Sequence, residues 1–538
     1  MITPFLYISV YHSESLLMDC DIMYKNKGGF MKKITAILSI LLSTILLLGC
    51  NYFKDYKEEL LLVIEEVKAE IPRVINSNFD LPEIEDVSIS ISLKNQSYTK
   101  TFIYESPFTD EFINMTLSLK KGRTRISEQI AITLLALDSG RNENRIDITT
   151  DVPTYQITTE SYVDANIVVT SSINGESQTI HTASDARIRG RGNSTQMFPK
   201  KPYRINFRQD TSIYGMPAAR NYVLLAEYSD KSLMRNVITH KLSSLLSGIE
   251  YYLQTRYVEL YINNDYQGLY VLTEQVEIHP NKLSIESIPG IYDTGFFLEL
   301  DQRFYEQNEV AGFDWVNVRG IPYEIKSPDS GHKDFTTAHH DYIYEYLLAT
   351  EIALESKQGY EDLIDLDNWI DYFIIQELVK NVDVGWSSVF LYKEPNGKLK
   401  FGPLWDFDLA YGNANYIDYG PENWYGMREY KNKFFRLMMD IPSVRARYRT
   451  RMMEVLDLYI PTIIEALPHI SDSIRTQALR NFSKWKILHI YVWPNPIEVL
   501  LATNFTSQMY VVKNFVENRS QWLSEALYTD KYNQGNFN

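Results

Sequence analysis

The chain has 538 residues, 45% hydrophobic and 23% charged, and its 69 acidic against 53 basic side chains give a formal net charge of −16. That length buries a large core across more than one domain, and that charge argues against nucleic acid or an anionic membrane surface as the main partner. Two cysteines, Cys20 and Cys50, are too few for a disulfide framework.

Residues 1–30 read as a spurious upstream start, with Met31 as the true beginning. Met31-Lys32-Lys33 is a short basic region, and Ile34 to Leu48 has the length of a signal-peptide core rather than of a membrane span. Leu47-Leu48-Gly49-Cys50 resembles the bacterial lipobox, which makes 31–49 a lipoprotein signal peptide and Cys50 the lipidated residue. The expected location is extracytoplasmic, on the cell membrane through the lipid anchor.

Residues 50–79 read as a tether and a helix, with Leu60, Leu61, Ile64 and Val67 on one side. Val87 to Leu93 (VSISISL) alternates apolar and polar residues, and with the runs that follow it predicts a small all-β accessory domain over 80–150. From Tyr155 short strands continue into Ala186 to Phe207, ARIRGRGNSTQMFPKKPYRINF, which carries the chain's densest basic cluster. Gly190 and Gly192 would let backbone N–H groups approach an anion, with Lys200, Lys201 and Arg204 adding charge. A basic hairpin with a solvated face fits those residues equally.

Asn221 to Leu246 predicts strand, polar turn and helix, capped by Ser229 or Asp230, and Arg256 to Glu277 is a hairpin with Glu274 near a strand end. His332, His339 and His340 fall in a polar loop with no common metal spacing. Helices are expected over Asp341 to Lys357 and Asp367 to Lys380. They deliver the chain into Asn381 to Asn413, NVDVGWSSVFLYKEPNGKLKFGPLWDFDLAYGN. Here Val389 to Tyr392 and Lys398 to Leu404 form a hairpin about Pro395-Asn396-Gly397, which brings Asp383 toward Asp406 and Asp408. Carboxylates held together among apolar residues repel, so they mark either a cation site or turn residues. Mostly helical sequence follows, with a C-terminal helix over about Ser507 to Leu527 and a disordered tail over 529–538.

Four blocks occur in order: RIRGRGNST with PKKPYRINF, NYVLLAEYSDKSLMRN, VELYINNDYQGLYVLTEQVE, and NVDVGWSSVFLYKE with GPLWDFDLAYGN. Together they resemble the spore-coat protein H (CotH) kinase family, over roughly Val152 to Arg519. The resemblance implies an α+β chain whose 151–528 region has a divergent, minimal protein-kinase-like fold. It also implies transfer of phosphate from ATP, with Mg²⁺ or Mn²⁺, to serines of a surface or coat protein. On that resemblance Asp383 is the catalytic base, and Asp406 and Asp408 hold the metal. Arg189, Gly190, Arg191, Gly192, Asn193 and Ser194 cover the phosphates, Lys201 (or Lys200) and Arg204 pair with them, and Glu274 partners the lysine. Two positions depart from the pattern. Ser388 stands where many kinase-like enzymes place a metal-binding Asn, and Asn206 where many relatives have Lys. Two other readings compete: a non-catalytic adhesion or scaffold module with the same fold, and a cell-wall glycosidase using Asp383 and Asp406.

Overall fold

The computed structural model describes residues 55–104, 111–135, 144–173, 176–288, 290–303, 314–428 and 430–537. The start at Met31, the signal peptide and Cys50 lie outside the described residues.

The first unit begins with helix α1 (Lys57–Glu70), then β1 (Val74–Ile75), β2 (Phe79–Asp80), β3 (Ser88–Leu93), β4 (Gln96–Tyr98), β5 (Thr101–Phe102), β6 (Glu111–Lys121) and β7 (Thr124–Leu134). Its main sheet runs β1-β7-β6-β3-β4. The all-β expectation changes here. Leu60, Ile64 and Val67, one helical turn apart, are fully buried against Ile91, Met115, Leu117 and Ile132 of the sheet. The helix covers one face of this unit's sheet and is not a lead-in from a tether.

The boundary near residue 150 also moves. Strand β8 (Arg145–Thr150) pairs in parallel with β13 (Thr255–Ile262) and antiparallel with β9 (Val163–Ile173). It thereby closes a barrel with β10 (Glu176–Gly190), β11 (Tyr203–Thr211), β12 (Ala219–Leu225) and β14 (Asp265–Glu274), in the order β10-β11-β12-β14-β13-β8-β9. Alternate residues such as Ile188, Ile205, Tyr222, Leu260 and Leu272 fill its interior. Helix α2 (Arg235–Ser243) leaves the barrel after β12.

A second sheet follows: β15 (Phe296–Leu300), β16 (Trp315–Val318), β17 (Ile321–Ser327), β18 (Val389–Lys393) and β19 (Lys400–Phe401), in the order β16-β17-β15-β18-β19. The β18–β19 hairpin forms as expected, with Leu391 opposite Phe401 and Tyr392 opposite Lys400, but its second arm is shorter than the expected Lys398 to Leu404. Between β17 and β18 lie α3 (Thr337–Ser356), α4 (Tyr360–Leu363) and α5 (Leu366–Val379). Helix α5, capped by the Asp365 carboxylate on the Asn368 N–H, is buried along most of its length because its sequence is apolar on nearly every side. It ends at Lys380, whose left-handed backbone (φ 48°) turns the chain toward Asp383.

The C-terminal part is helical: α6 (Lys433–Met439), α7 (Pro442–Glu454), a π turn (Val455–Tyr459), α8 (Ile460–Ser473), α9 (Arg475–Lys484), α10 (Ile497–Leu501), α11 (Phe505–Ala526) and α12 (Asp530–Gln534). Arg519 of α11 and Glu377 of α5 form a fully buried ion pair at 2.7 Å, and Glu377 also accepts the N–H groups of Tyr425 and Met427. Mixed helices and sheets thus bear out the α+β class.

The expected disordered tail is instead ordered through Gln534. Thr529 caps α12, and Tyr532 and Phe537 are buried against the Trp424 ring at 5.6 and 5.7 Å. A polar-looking segment hid two aromatic anchors, each contributing roughly 1.5–3 kcal/mol when fully buried. Deleting residues 530–538 is therefore expected to lower the thermal midpoint by several degrees. An unchanged melt would show the tail to be dispensable.

Candidate functional site

A cleft of about 350 Å³ lies between the barrel and the second sheet. On the barrel side it is lined by Arg189 to Thr195, Lys200, Arg204 and the 225–229 segment. Across from them are Glu299, Arg303, Lys326, Ser388, Phe390, Trp405, Asp406 and Asp408.

The barrel wall is built around a like-charge pair. Arg189 on β10 stands directly opposite Arg204 on β11. Like charges facing each other across two strands destabilise the pair. Both Nε atoms are buried without a hydrogen-bond partner, so two guanidinium groups face the cleft with unused donors. Arg191 lies over the Trp405 ring at 5.1 Å, and burial holds its pKa below the usual arginine value.

The glycine turn works differently from the sequence reading. The Gly190 N–H donates to Thr158 O and the Arg191 N–H to Pro202 O, so neither is free for an anion. Gly192 is needed for shape: it has φ +89°, and a Cβ there would come within 2.1 Å of Thr195 Oγ1. Asn193 and Ser194 line the cleft beside it.

The lysine assignment reverses. Lys201 donates from Nζ to the Gln196 carbonyl and does not line the cleft. Lys200 does line it, buried, with Nζ donating to Leu269 O (2.5 Å) and Asn481 Oδ1 (3.0 Å). Burial pushes the Lys200 ammonium down to about 7, opposed by the Glu227 charge. Gly268 makes room for this lysine: a Cβ there would meet Lys200 Cε at 2.8 Å.

Glu274 is not the lysine's partner. It is fully buried on β14, accepts the Gln254 N–H at 2.9 Å, and has Lys282 and Arg256 as its nearby cations. Burial pushes its carboxyl up to about 7. The carboxylate facing Lys200 is Glu227, which sequence reasoning missed. Glu227 Oε1 accepts from Asn236 at 2.9 Å, while its buried Oε2 has no partner. Burial first, then Asp230 and Asp408, raise its pKa well above the usual range. Its place just after a strand, inside the NYVLLAEYSDKSLMRN block, was the available signal; the structure adds a left-handed backbone there (φ 49°).

The acids are only partly gathered. Asp406, in left-handed backbone (φ 69°), and Asp408 line the cleft, and Asp408 Oδ2 accepts from Ser229 at 2.9 Å. Asp383 does not line it, yet it is close enough for mutual repulsion. Burial first, and then the Asp406 charge, push the Asp383 carboxyl up to about 7. Among the described residues no group of three or more His, Cys, Asp or Glu side chains could hold a metal by itself. The pair Asp406 and Asp408 still fits Mg²⁺, which takes one or two carboxylates and completes its shell with phosphate oxygens and water.

Ser388 (φ 58°) lines the cleft beside Asp406. Asn206 does not line it: it accepts from Arg187 at 2.8 Å and donates to Asn221 at 2.9 Å. A lysine there would face Arg187, its cross-strand partner. Of the three histidines expected in a loop only His332 is in one; His339 and His340 lie in the first turn of α3, where His339 completes the Thr336 capping box and His340 bonds Trp315 O.

Residues 188–523 match the family model described as CotH kinase protein. The chain belongs to the CotH kinase protein family. It is also similar to inner spore coat protein H of Bacillus subtilis (strain 168), with 23% identity over 348 residues, 64% of this chain and 87% of that protein. The CotH match begins inside β10, so β8, β9 and most of β10 complete the barrel from outside the matched region.

The Arg189–Arg204 pair makes a direct prediction. Arg204→Gln relieves the repulsion and leaves the ligand-free protein as stable as wild type or up to about 1 kcal/mol more stable. It also removes most of the thermal stabilisation given by tripolyphosphate. Melts with and without tripolyphosphate check both, and an unchanged tripolyphosphate shift would separate these arginines from anion binding.

Proposed function

We propose that this CotH chain is a protein kinase, transferring the γ-phosphoryl group of ATP to serine hydroxyls of a surface or coat protein. The single observation that carries this is a cleft that offers unspent arginine donors and a carboxylate pair together, its further cations Arg303 and Lys326 being already paired with Asp301 and Glu299. Two opposed arginines with unused buried donors, plus Lys200, face a pair of carboxylates across about 350 Å³. A polyphosphate with its divalent cation satisfies both sides at once, whereas a neutral sugar leaves the arginines unpaired. This ranks the reading above a glycosidase. The unspent donors also favour it over a non-catalytic scaffold.

In this reading Arg189, Arg191, Arg204 and Lys200 bind and orient the triphosphate, and Gly190, Gly192, Asn193 and Ser194 shape the turn beneath it. Apolar and aromatic side chains at the cleft, Phe198, Tyr228 and Trp405, exclude water and offer faces for the base. Asp406 and Asp408, with Ser388 beside them, would hold Mg²⁺ or Mn²⁺, which supplies charge neutralisation on the phosphates. Asp383 accepts the proton of the serine hydroxyl as its Oγ bonds to the γ-phosphorus and the bond to the ADP oxygen breaks. Burial and the Asp406 charge hold its carboxyl up at about 7, which strengthens it as a base. Phosphoryl transfer asks little more than such positioning and charge placement. The spore-coat relative suggests a coat or envelope setting, with lipidation at Cys50 as the anchor.

The test is phosphate incorporation from ATP/Mg²⁺ into a serine-rich acceptor. Asp383→Ala and Asp406→Ala are expected to cut the rate at least about 10²-fold. Lys200→Ala raises the KM for ATP by roughly tenfold or more, while Lys201→Ala stays close to wild type. Equal incorporation by wild type and both Asp variants would overturn the assignment.

A further inference from the structure

The cleft accounts for the nucleotide but leaves the acceptor without a seat. Beside it stands a group of large exposed side chains. Tyr416 is 53% exposed and Trp493 49%, and their rings stack at 5.9 Å with 14° between planes. Ile490 and Tyr491 are each 51% exposed. Exposed apolar patches of this kind mark interaction surfaces.

The wall is fixed to the catalytic residues through short links. The Asn415 N–H donates to Pro494 O at 2.9 Å, and Asn415 Nδ2 donates to the Tyr491 hydroxyl at 3.1 Å. Two residues earlier, Asn413 Nδ2 donates to the Asp408 carbonyl at 2.7 Å. Asn495 donates to Ser229 O at 2.8 Å, and Ser229 in turn holds the Asp408 carboxylate. Lys231 Nζ donates to Ile490 O at 2.7 Å. Burial first, and then the charges of Asp383, Asp408 and Asp406, raise the Tyr416 hydroxyl above its ordinary value.

The wall's chemistry selects its occupant. In a chain that is 23% charged, both 487–497 and 409–417 carry no Asp, Glu, Lys or Arg. Nothing in these segments pairs with a charged flank. A flat stacked Tyr–Trp pair gains most from an aromatic or branched aliphatic side chain.

We propose that the wall formed by Tyr416, Trp493, Tyr491 and Ile490 docks the acceptor polypeptide, taking an aromatic or branched aliphatic side chain near the target serine. This rests on the kinase reading above. The wall sets which serine reaches Asp383, and it leaves nucleotide binding to the cleft.

The experiment is a positional peptide scan with one serine in a Gly/Ala background, each flanking position carrying Phe, Leu, Lys, Glu or Ala in turn. Phosphate transfer from ATP/Mg²⁺ is read for wild type, Trp493→Ala and Ile490→Glu. Thermal melts confirm folding, and the KM for ATP serves as control. Wild type is expected to favour Phe or Leu at one or two fixed offsets by about tenfold over Ala. Trp493→Ala removes most of that preference through the KM for peptide, and Ile490→Glu does the same by a different change at an exposed position. Preference surviving both variants, or wild-type selection of Lys or Glu, overturns the docking surface. ATP turnover with no flank preference also overturns it and leaves the kinase reading standing. No ATP turnover by wild type overturns the kinase reading, and this one with it.

Discussion

The buried pair Asp230–Arg235 is the interaction on which the cleft depends. Both side chains are fully buried in ion-pair contact, and the Asp230 carboxylate also accepts the N–H groups of Ser232, Met234 and Arg235. Breaking such a pair from one side strands a charge in the core, at a cost of about 3–5 kcal/mol. What the pair fixes is the segment from Glu227 to Asn236, and that segment joins the two walls. Ser229 holds Asp408, Asn236 bridges Glu227 and the Phe407 N–H, and Arg235 Nε reaches Ala410 O at 3.0 Å. The loop bearing Asp406 and Asp408 is therefore tied to the barrel bearing Arg189, Lys200 and Arg204.

The rest of the architecture serves to keep this joint stiff. Helix α5 is buried on nearly all sides, and Arg519 locks its Glu377 to the loop before α6. Lys380, at the end of α5, donates to the carbonyls of Asp418 and Gly420 at 2.9 and 2.7 Å, so the chain leaves the helix already aimed at Asp383. The N-terminal unit adds contacts from behind: Arg73 reaches Leu458 O and Thr462 reaches Ala131 O. A site of opposed charges needs such stiffness, because its groups repel their own kind until a ligand arrives.

Much of this was legible in the residues. The hairpin around Asn396-Gly397, the α5 cap at Asp365 and the alternation of VSISISL all reflect local rules of period and turn chemistry, and the structure follows them. The four ordered blocks led to the family. What the sequence hid depends on tertiary facing. Lys200 and Lys201 are neighbours with the same chemistry, and only the path of the chain between β10 and β11 decides that one turns into the cleft and the other onto Gln196. Glu227 reads as a loop acid until Asn236 folds back on it. Tyr532 and Phe537 sit in a polar tail, and their burial depends on Trp424, more than a hundred residues away. Helix α1 and the strands after it were both visible, but not that the helix covers their sheet.

The central claim is that the arginine wall and the Asp406–Asp408 pair together hold a nucleotide triphosphate and its cation. Calorimetric titration of ATP into the protein, with Mg²⁺ and then with EDTA, tests it most directly. Saturable one-to-one binding that weakens at least about tenfold when the cation is removed is the predicted result. Absence of binding in Mg²⁺, or binding indifferent to the cation, would contradict the account.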